Sequence, residues 1–251
     1  MDRLGPIVAL AVAFSVAQPA PADADDITVW AARAIATVLA ETGPEFERTT
    51  GHTLRISSDL SSGFERRANA GEPFDIVIMG SAGVDAFIKT GRVRAETRTD
   101  IATSGIGVAV RAGARKPEIG TVEAFTRALL EAKSIAYLKV GSGLYLDGLL
   151  ERLGIAKALE PKVTRPDSDI VSELVAKGDV ELGMVVITQI LTTRGVDLVG
   201  PLPPEIQSQV TFAGAVSKDA KAPRAARQLM TFLAGPTAHP VIKAQGMQPA
   251  R

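Results

Sequence analysis

The sequence predicts an α/β protein of two lobes with a ligand cleft between them, and three observations support this fold class. Apolar strands alternate with amphipathic helices from Ile27 onward, which is typical of parallel sheets with βαβ connections. The alternation runs in two separate series. Each series is followed by a similar apolar segment, "GIGVAVRAG" at residues 105–113 and "VTFAGAVS" at residues 210–217. We interpret these segments as two strands that cross between the lobes.

The first series contains three strand–helix units. The apolar strand Ile27–Trp30 runs into a helix over residues 32–50, which Gly51 ends. An alternating strand at residues 53–57 precedes a helix at residues 63–70. The apolar strand "FDIVIM" then leads into the helix "SAGVDAFIKTG". These units predict a parallel sheet in the first lobe.

The second series repeats this pattern. Its strands are "SIAYLKV", a short segment near residues 162–164, and "LGMVVI". Its helices are predicted at residues 122–132, 143–153 and 168–177, and a last helix at residues 222–233 follows the second crossing strand. The crossing points divide the chain into lobe 1, residues 25–107 with 216–251, and lobe 2, residues 108–215.

The first 24 residues are predicted to be a secretory signal. Asp2 and Arg3 precede the apolar run "LGPIVALAVAFSVA", and small residues lead to a cleavage position before Asp25. The run is shorter than the roughly 20 residues that a spanning helix needs. A retained anchor is the alternative. We expect a soluble monomer in an exported compartment.

The composition argues against several functional classes. The chain has 28 basic and 28 acidic side chains, and the signal holds one basic and two acidic ones, so the mature charge is near +1. This balance provides no broad positive field for nucleic acid or an anionic membrane. The chain has no cysteine and only 2 histidines, so we expect no metal site and no cofactor. Aromatic residues are 4% of the chain, and we expect Trp30 to pack at a strand end.

Four segments, in this order, resemble landmarks of one known family: "ITVWAARAI", "SSDLSSGFERRANAGEPFDIVIM", "VGSGLYLDGLLERLG" and "VAKGDVELGMVV". The family is the periplasmic solute-binding proteins of the molybdate-binding type, which have the type II periplasmic-binding fold. The resemblance spans about residues 26 to 248. It implies a periplasmic location, a small anionic ligand and an ABC-transporter permease as partner.

Arg33 is the main departure from the family pattern. It stands at the start of a predicted helix, where the helix dipole repels a cation, and Ala34 follows where the resemblance implies a ligand serine. Neutral donors suit tetrahedral oxyanions, whereas a guanidinium grips a carboxylate with two parallel hydrogen bonds. We therefore predict that Arg33 and Ala34 contact the ligand, and that the ligand is an organic carboxylate rather than molybdate. The alternative for Arg33 is a surface ion pair with Glu41 or another acid.

The resemblance implies the remaining ligand contacts. Ser61 and Ser62 match the hydroxyls of the family's second loop, and the alternative is that they cap the next helix. Ser142 and Gly143 belong to a glycine-bracketed turn that lets backbone approach an anion, or that serves only as a tight turn. Tyr145, one turn later, is either a ligand contact or part of the cleft wall.

Three charged residues of the second loop and helix keep open roles. Asp59 orients Arg33, binds a ligand hydroxyl or forms a local Asx turn. Of the pair Arg66 and Arg67, the sequence does not determine which faces the cleft.

Two functions are compatible with these residues. The first is a solute-binding protein that captures a small anion between closing lobes for an ABC importer. The alternative is a periplasmic isomerase of a tricarboxylic acid, because some proteins that resemble this family are aconitate isomerases. Isomerisation needs a base beside the substrate, and the sequence marks none, so a catalytic residue stays unassigned.

Overall fold

The computed structural model describes residues 24–250. The predicted signal, residues 1–24, lies outside this range except for Ala24, so it stays a prediction. Among the described residues, every helix is too short or too polar to cross a membrane.

Lobe 1 contains the first three strand–helix units in the predicted order. Its strands are β1 (Asp26–Ala31), β2 (Thr53–Ser58) and β3 (Ile76–Gly80), and its helices are α1 (Arg33–Thr50), α2 (Ser61–Asn69) and α3 (Ser81–Lys89). Strand β1 lies between β2 and β3, and both pairs are parallel. Helix α1 ends where predicted, because Gly51 adopts a left-handed conformation with φ 79° and donates its N–H to Glu47.

The two crossing strands are β4 (Thr99–Arg111) and β9 (Gln209–Val216), which pair antiparallel with each other. Strand β9 also pairs with β3. Strand β4 pairs with β9 through Gly105, and from Ile106 onward it pairs with lobe 2 strands. The prediction that this strand begins at residue 105 was wrong by six residues, because four of the six residues in "TDIATS" are polar and the segment has neither an apolar run nor an alternating pattern.

In lobe 2, other strands pair with both edges of the second half of β4. The chain forms α4 (Val122–Glu131), β5 (Ile135–Tyr137), α5 (Ser142–Arg152), α6 (Ala156–Leu159), β6 (Val163–Thr164), α7 (Val171–Lys177), β7 (Leu182–Val186), α8 (Ile187–Thr192) and β8 (Val196–Pro201). The sheet order is β4-β7-β5-β6, with β8 also paired to β4. Helix α8 and strand β8 were not predicted. Helix α7 begins at Val171 instead of residue 168, which leaves residues 168–170 as a loop.

The chain then returns to lobe 1 as α9 (Pro223–Ala234), α10 (His239–Ala244) and β10 (Gln248–Pro249), which pairs with β4. Each lobe has apolar clusters on both faces of its sheet. Trp30 is 0% exposed and stacks on Phe64 and Phe74, with ring centroids 5.6 and 4.3 Å away, which confirms its predicted packing role. The structure confirms the predicted α/β fold with two lobes and two crossing strands. The exact lobe limits stay a prediction.

Candidate functional site

The candidate site lies where helices of both lobes begin, next to the carboxyl ends of their strands. Helices α1 and α2 begin there in lobe 1, and α7 begins there in lobe 2. Helix α5 of lobe 2, with the predicted residues Ser142 and Gly143, begins after β5. Within residues 24–250, no side chain of the N-cap residues Ala32, Leu60 and Gly141 accepts a hydrogen bond from its helix. By contrast, Thr121 caps α4 by accepting from the N–H of Ala124 at 3.2 Å. The uncapped N–H groups at the cleft are therefore suited to an anion.

Arg33 is the first residue of α1, and its guanidinium reaches across the cleft to lobe 2. Its Nε lies 3.3 Å from Oδ2 of Asp169, and its Nη2 donates to the backbone oxygen of Asp169 at 2.6 Å. Its Nη1 forms an ion pair with Glu173. Glu41, the partner considered from the sequence, instead accepts a hydrogen bond from Gln245. The first residue of a lobe 1 helix thus connects the two lobes.

Asp169 is the least exposed acid of this cluster. Its side chain is 15% exposed, and its Oδ2 accepts a hydrogen bond from Gln189 at 2.7 Å. Burial raises the pKa of the Asp169 carboxyl, and the nearby charge of Glu173 raises it further. The charge of Arg33 and the hydrogen bond from Gln189 lower this pKa. A carboxyl with a raised pKa beside a cleft is a common feature of functional sites.

Sequence reasoning missed Asp169, Glu173 and Gln189. The available signal was the acidic pair in "DSDIVSEL", at the start of a predicted lobe 2 helix. Because α7 begins at Val171, Asp169 lies in the loop before this helix and Glu173 in its first turn. Gln189 belongs to α8, the helix that was not predicted.

A cavity of about 460 Å³ opens beside Arg33 between the lobes. Residues of α1, of the end of β2 with the loop after it, and of the loop before α7 line it: Arg33, Ala36, Thr37, Ala40, Ser58, Asp59, Leu60, Ser168, Asp169 and Ile170. Arg33 is the one cation among these described lining residues. A larger cavity of about 830 Å³ lies at the amino ends of β5 and β7, the edge opposite to the one where α/β sheets bind ligands.

Arg33 is the one predicted ligand residue that lines this cavity, and the others are outside its lining: Ala34, Ser61, Ser62, Ser142, Gly143 and Tyr145. The side chain of Ala34 is 1% exposed and packs in the lobe 1 core. Ser61 and Ser62 are the first two residues of α2, which begins two residues before its predicted start. In the described chain neither serine caps the helix, so that alternative was wrong. Their role as ligand contacts stays a prediction.

Asp59 packs against the start of α2. Its Oδ1 accepts from the N–H of Leu60 at 2.7 Å. A Cβ atom at Gly63 would lie 2.0 Å from the Asp59 Cγ, so glycine is required for this approach. In the following turn, the Cζ atom of Arg67 lies 4.2 Å from the centroid of the Trp30 ring, whereas Arg66 is exposed.

The predicted lobe 2 residues are at the start of α5. Gly141 has φ +61°, and Ser142 and Gly143 open the helix. Tyr145 donates its hydroxyl to the backbone oxygen of Ile206 at 2.8 Å, an arrangement that fits a cleft wall. These residues remain predicted ligand contacts. Among residues 24–250, no group of three or more His, Cys, Asp or Glu side chains is arranged to hold a metal ion.

A two-lobed fold, with a cleft that has helix starts on both sides, is typical of solute-binding proteins. Residues 27–248 match the bacterial extracellular solute-binding protein family, and the chain belongs to this family. The resemblance to its molybdate-binding type is confirmed.

Individual relatives differ in their named activities. The chain is 31% identical to an aconitate isomerase from a Pseudomonas species, over 98% of this chain and 95% of that protein. It is 27% identical to the molybdate-binding protein ModA of Escherichia coli, over 94% of each chain. In structure it resembles the periplasmic molybdate-binding protein of Azotobacter vinelandii, with a TM-score of 0.76 and 21% identity over 90% of this chain and all of the other. This last similarity shows the fold alone.

Proposed function

We propose that this protein binds a small organic carboxylate between its lobes and delivers it to the membrane permease of an ABC importer. The observation that carries the proposal is the guanidinium of Arg33, the one cation lining the interlobe cavity among the described residues. It already holds carboxylate groups, those of Asp169 and Glu173. The 31% identity to an aconitate isomerase supports the same ligand class, because aconitate is a tricarboxylate.

The chemistry of the donors favours a carboxylate over molybdate. A planar guanidinium matches the two oxygens of a carboxylate, and the uncapped starts of α1, α2 and α5 add neutral N–H donors. A second carboxylate of the same ligand would fit these N–H donors, as anions do at helix starts.

Binding between the lobes also explains the transport role. Arg33 and Ser61 belong to lobe 1, whereas Ser142 belongs to lobe 2, so a ligand contacts both sets only when the lobes are closed. A ligand with contacts only in the closed form shifts the population toward that form. The closed form is then the state that the permease would recognise.

A thermal-shift screen of the protein starting at Asp25 tests this proposal. The ligands are trans-aconitate, cis-aconitate, citrate and succinate, with molybdate, tungstate and sulfate as tetrahedral oxyanions. We expect at least one carboxylate to raise the melting temperature, since a ligand at 100 times its Kd stabilises by about 2.7 kcal/mol. A rise with molybdate and with none of the carboxylates would contradict the proposal.

Variants of Arg33 make the screen specific. Arg33→Ala should weaken carboxylate binding by roughly ten- to a hundredfold, because a hydrogen bond to a charged group contributes about 1.5–3 kcal/mol. Arg33→Lys should retain only part of the affinity, since a lysine ammonium cannot form the two parallel hydrogen bonds that a guanidinium makes to a carboxylate. The matched control is Arg55→Ala, which removes the cation of an exposed ion pair with Asp26 away from the cleft.

Isomerisation of a tricarboxylate is the second candidate function. The relative named aconitate isomerase favours it, and Asp169 and Glu173 provide carboxyl groups beside the cleft for proton transfer. In the same samples, chromatography after incubation measures the interconversion of cis- and trans-aconitate. Interconversion above that of heat-treated protein would support the isomerase, whereas binding without interconversion would support the solute-binding protein.

A further inference from the structure

The charges around the interlobe cavity are unfavourable for an anion as they stand. Arg33 faces Asp169 from the loop before α7 and Glu173 from α7 itself. Asp59, from the loop between β2 and α2, lines the same cavity. One cation is therefore set against three acids. A ligand carboxylate that entered this cavity without any other change would increase the negative charge.

Two polar atoms of this cluster are buried and lack partners. Oε2 of Glu173 and Oε1 of Gln189 make no hydrogen bond with any described residue. Gln189 donates its side-chain N–H to Asp169, so the oxygen without a partner belongs to the same amide group that contacts this acid. A protonated carboxyl would supply a donor that these acceptors now lack.

We propose that Asp169 takes up a proton when a ligand carboxylate binds Arg33, so that binding in this cleft is coupled to protonation. This inference rests on the function proposed above. A ligand that engages the guanidinium removes the counterion of Asp169, and a largely buried carboxylate without a counterion is disfavoured. Protonation removes this charge and leaves the carboxyl able to donate to a neighbouring oxygen.

The sign of the pH dependence follows from proton uptake. The pKa of Asp169 is already raised by burial in the empty protein, and loss of the Arg33 interaction raises it further. Between these two pKa values, the complex holds one more proton than the empty protein. Affinity for a carboxylate therefore falls as pH rises through this interval, by up to about tenfold per pH unit.

Calorimetry in two buffers measures the coupling directly. The probe is trans-aconitate, titrated at several pH values between about 5 and 8 in pairs of buffers that differ in ionisation enthalpy, such as Mes and imidazole. We expect the observed heat to differ between the buffers, with an uptake that approaches about one proton per bound ligand at a pH between the pKa values of Asp169 in the empty and the bound protein. This comparison uses the unmodified protein and needs no variant to fold.

Variants then assign the proton. Asp169→Asn, which keeps the size of the side chain, should still bind trans-aconitate but with proton uptake close to zero and a flat affinity between about pH 5 and 8. Asp26→Asn removes the acid of an exposed arginine–aspartate pair and should retain the uptake of the unmodified protein. Equal heats in both buffers, or full uptake in Asp169→Asn, would overturn the coupling while leaving carboxylate binding intact. Absence of binding heat with trans-aconitate and with every other carboxylate of the thermal-shift screen would instead overturn the proposed function, and the coupling with it.

Discussion

Asp75 is the buried carboxylate that connects the first strand of lobe 1 to its last long helix. Its side chain is 3% exposed. Oδ2 accepts the N–H of Thr28 in β1 at 2.8 Å. Oδ1 accepts the N–H groups of Lys221 and Ala222, just before α9, at 2.6 and 3.1 Å. The acid at the end of "AGEPFD" thus satisfies three backbone donors, of which one is buried and two are partly buried.

Asp75→Ala should destabilise the protein by roughly 3 kcal/mol or more. Hydrogen bonds to a charged group contribute about 1.5–3 kcal/mol, and the substitution leaves one buried and two partly buried N–H groups without their acceptor. Urea unfolding measures the change. Asp26→Ala is the control, because Asp26 is in an exposed ion pair with Arg55 and its loss should leave the unfolding midpoint nearly unchanged. Similar midpoints for both variants would show that Asp75 has no such structural role.

At the scale of secondary structure elements, the start of α5 depends on the absence of a side chain at one position. A Cβ atom at Gly143 would lie 1.5 Å from the backbone oxygen of Leu138, in the loop after β5. The helix start can approach this loop only because position 143 is glycine. In the middle of the same helix, a Cβ atom at Gly148 would meet only Arg152 Nη1, at 3.5 Å.

The two glycines of α5 therefore provide a matched pair of substitutions. Gly143→Ala should destabilise the protein by about 1–3 kcal/mol, because the loop must move to accept the methyl group. Gly148→Ala should stabilise it by up to about 1 kcal/mol, since alanine has the higher helix propensity and space is available. Urea unfolding of both variants gives the comparison. A stabilising Gly143→Ala would mean that the close approach to Leu138 is absent in solution.

At the scale of the whole molecule, the cluster of Arg33, Asp169 and Glu173 connects the two lobes without a ligand. The exposed fractions of these side chains are 34%, 15% and 35%, so solvent screens the Arg33–Glu173 pair more than the contact to Asp169. The lobes are also joined by the continuous strands β4 and β9, and α8 of lobe 2 packs against α1 of lobe 1. Such a connection permits hinge motion in which the ion pairs break and the strands bend.

Removing the acids of this cluster should open the empty protein. In Asp169→Asn combined with Glu173→Gln, Arg33 loses both ion pairs, so the population shifts toward open lobes. Small-angle X-ray scattering should report a larger radius of gyration than for the unmodified protein. The control is Asp26→Asn, since its ion pair lies within lobe 1. An unchanged radius in the double variant would mean that these contacts do not hold the lobes together.

Much of the fold could be predicted because its signals are local. Strand and helix periods, and the glycines that end helices, depend on neighbouring residues, so the three units of lobe 1 and the crossing strand at residues 209–216 appeared close to their predicted positions. The failures have local causes too. Helix α8 has 6 residues, too few to display a helical period, and the polar first half of β4 does not resemble a buried strand.

The sequence by itself determined the α/β class, the two series of units, the crossing strands and the position of Arg33 at a helix start. The tertiary structure alone decided what Arg33 contacts. Its partner Asp169 is 136 residues away in the chain, and no local pattern encodes which loop of lobe 2 the folded strands bring opposite α1. The burial that raises the pKa of Asp169 likewise arises only when elements from both lobes surround it, because desolvation depends on packing in three dimensions.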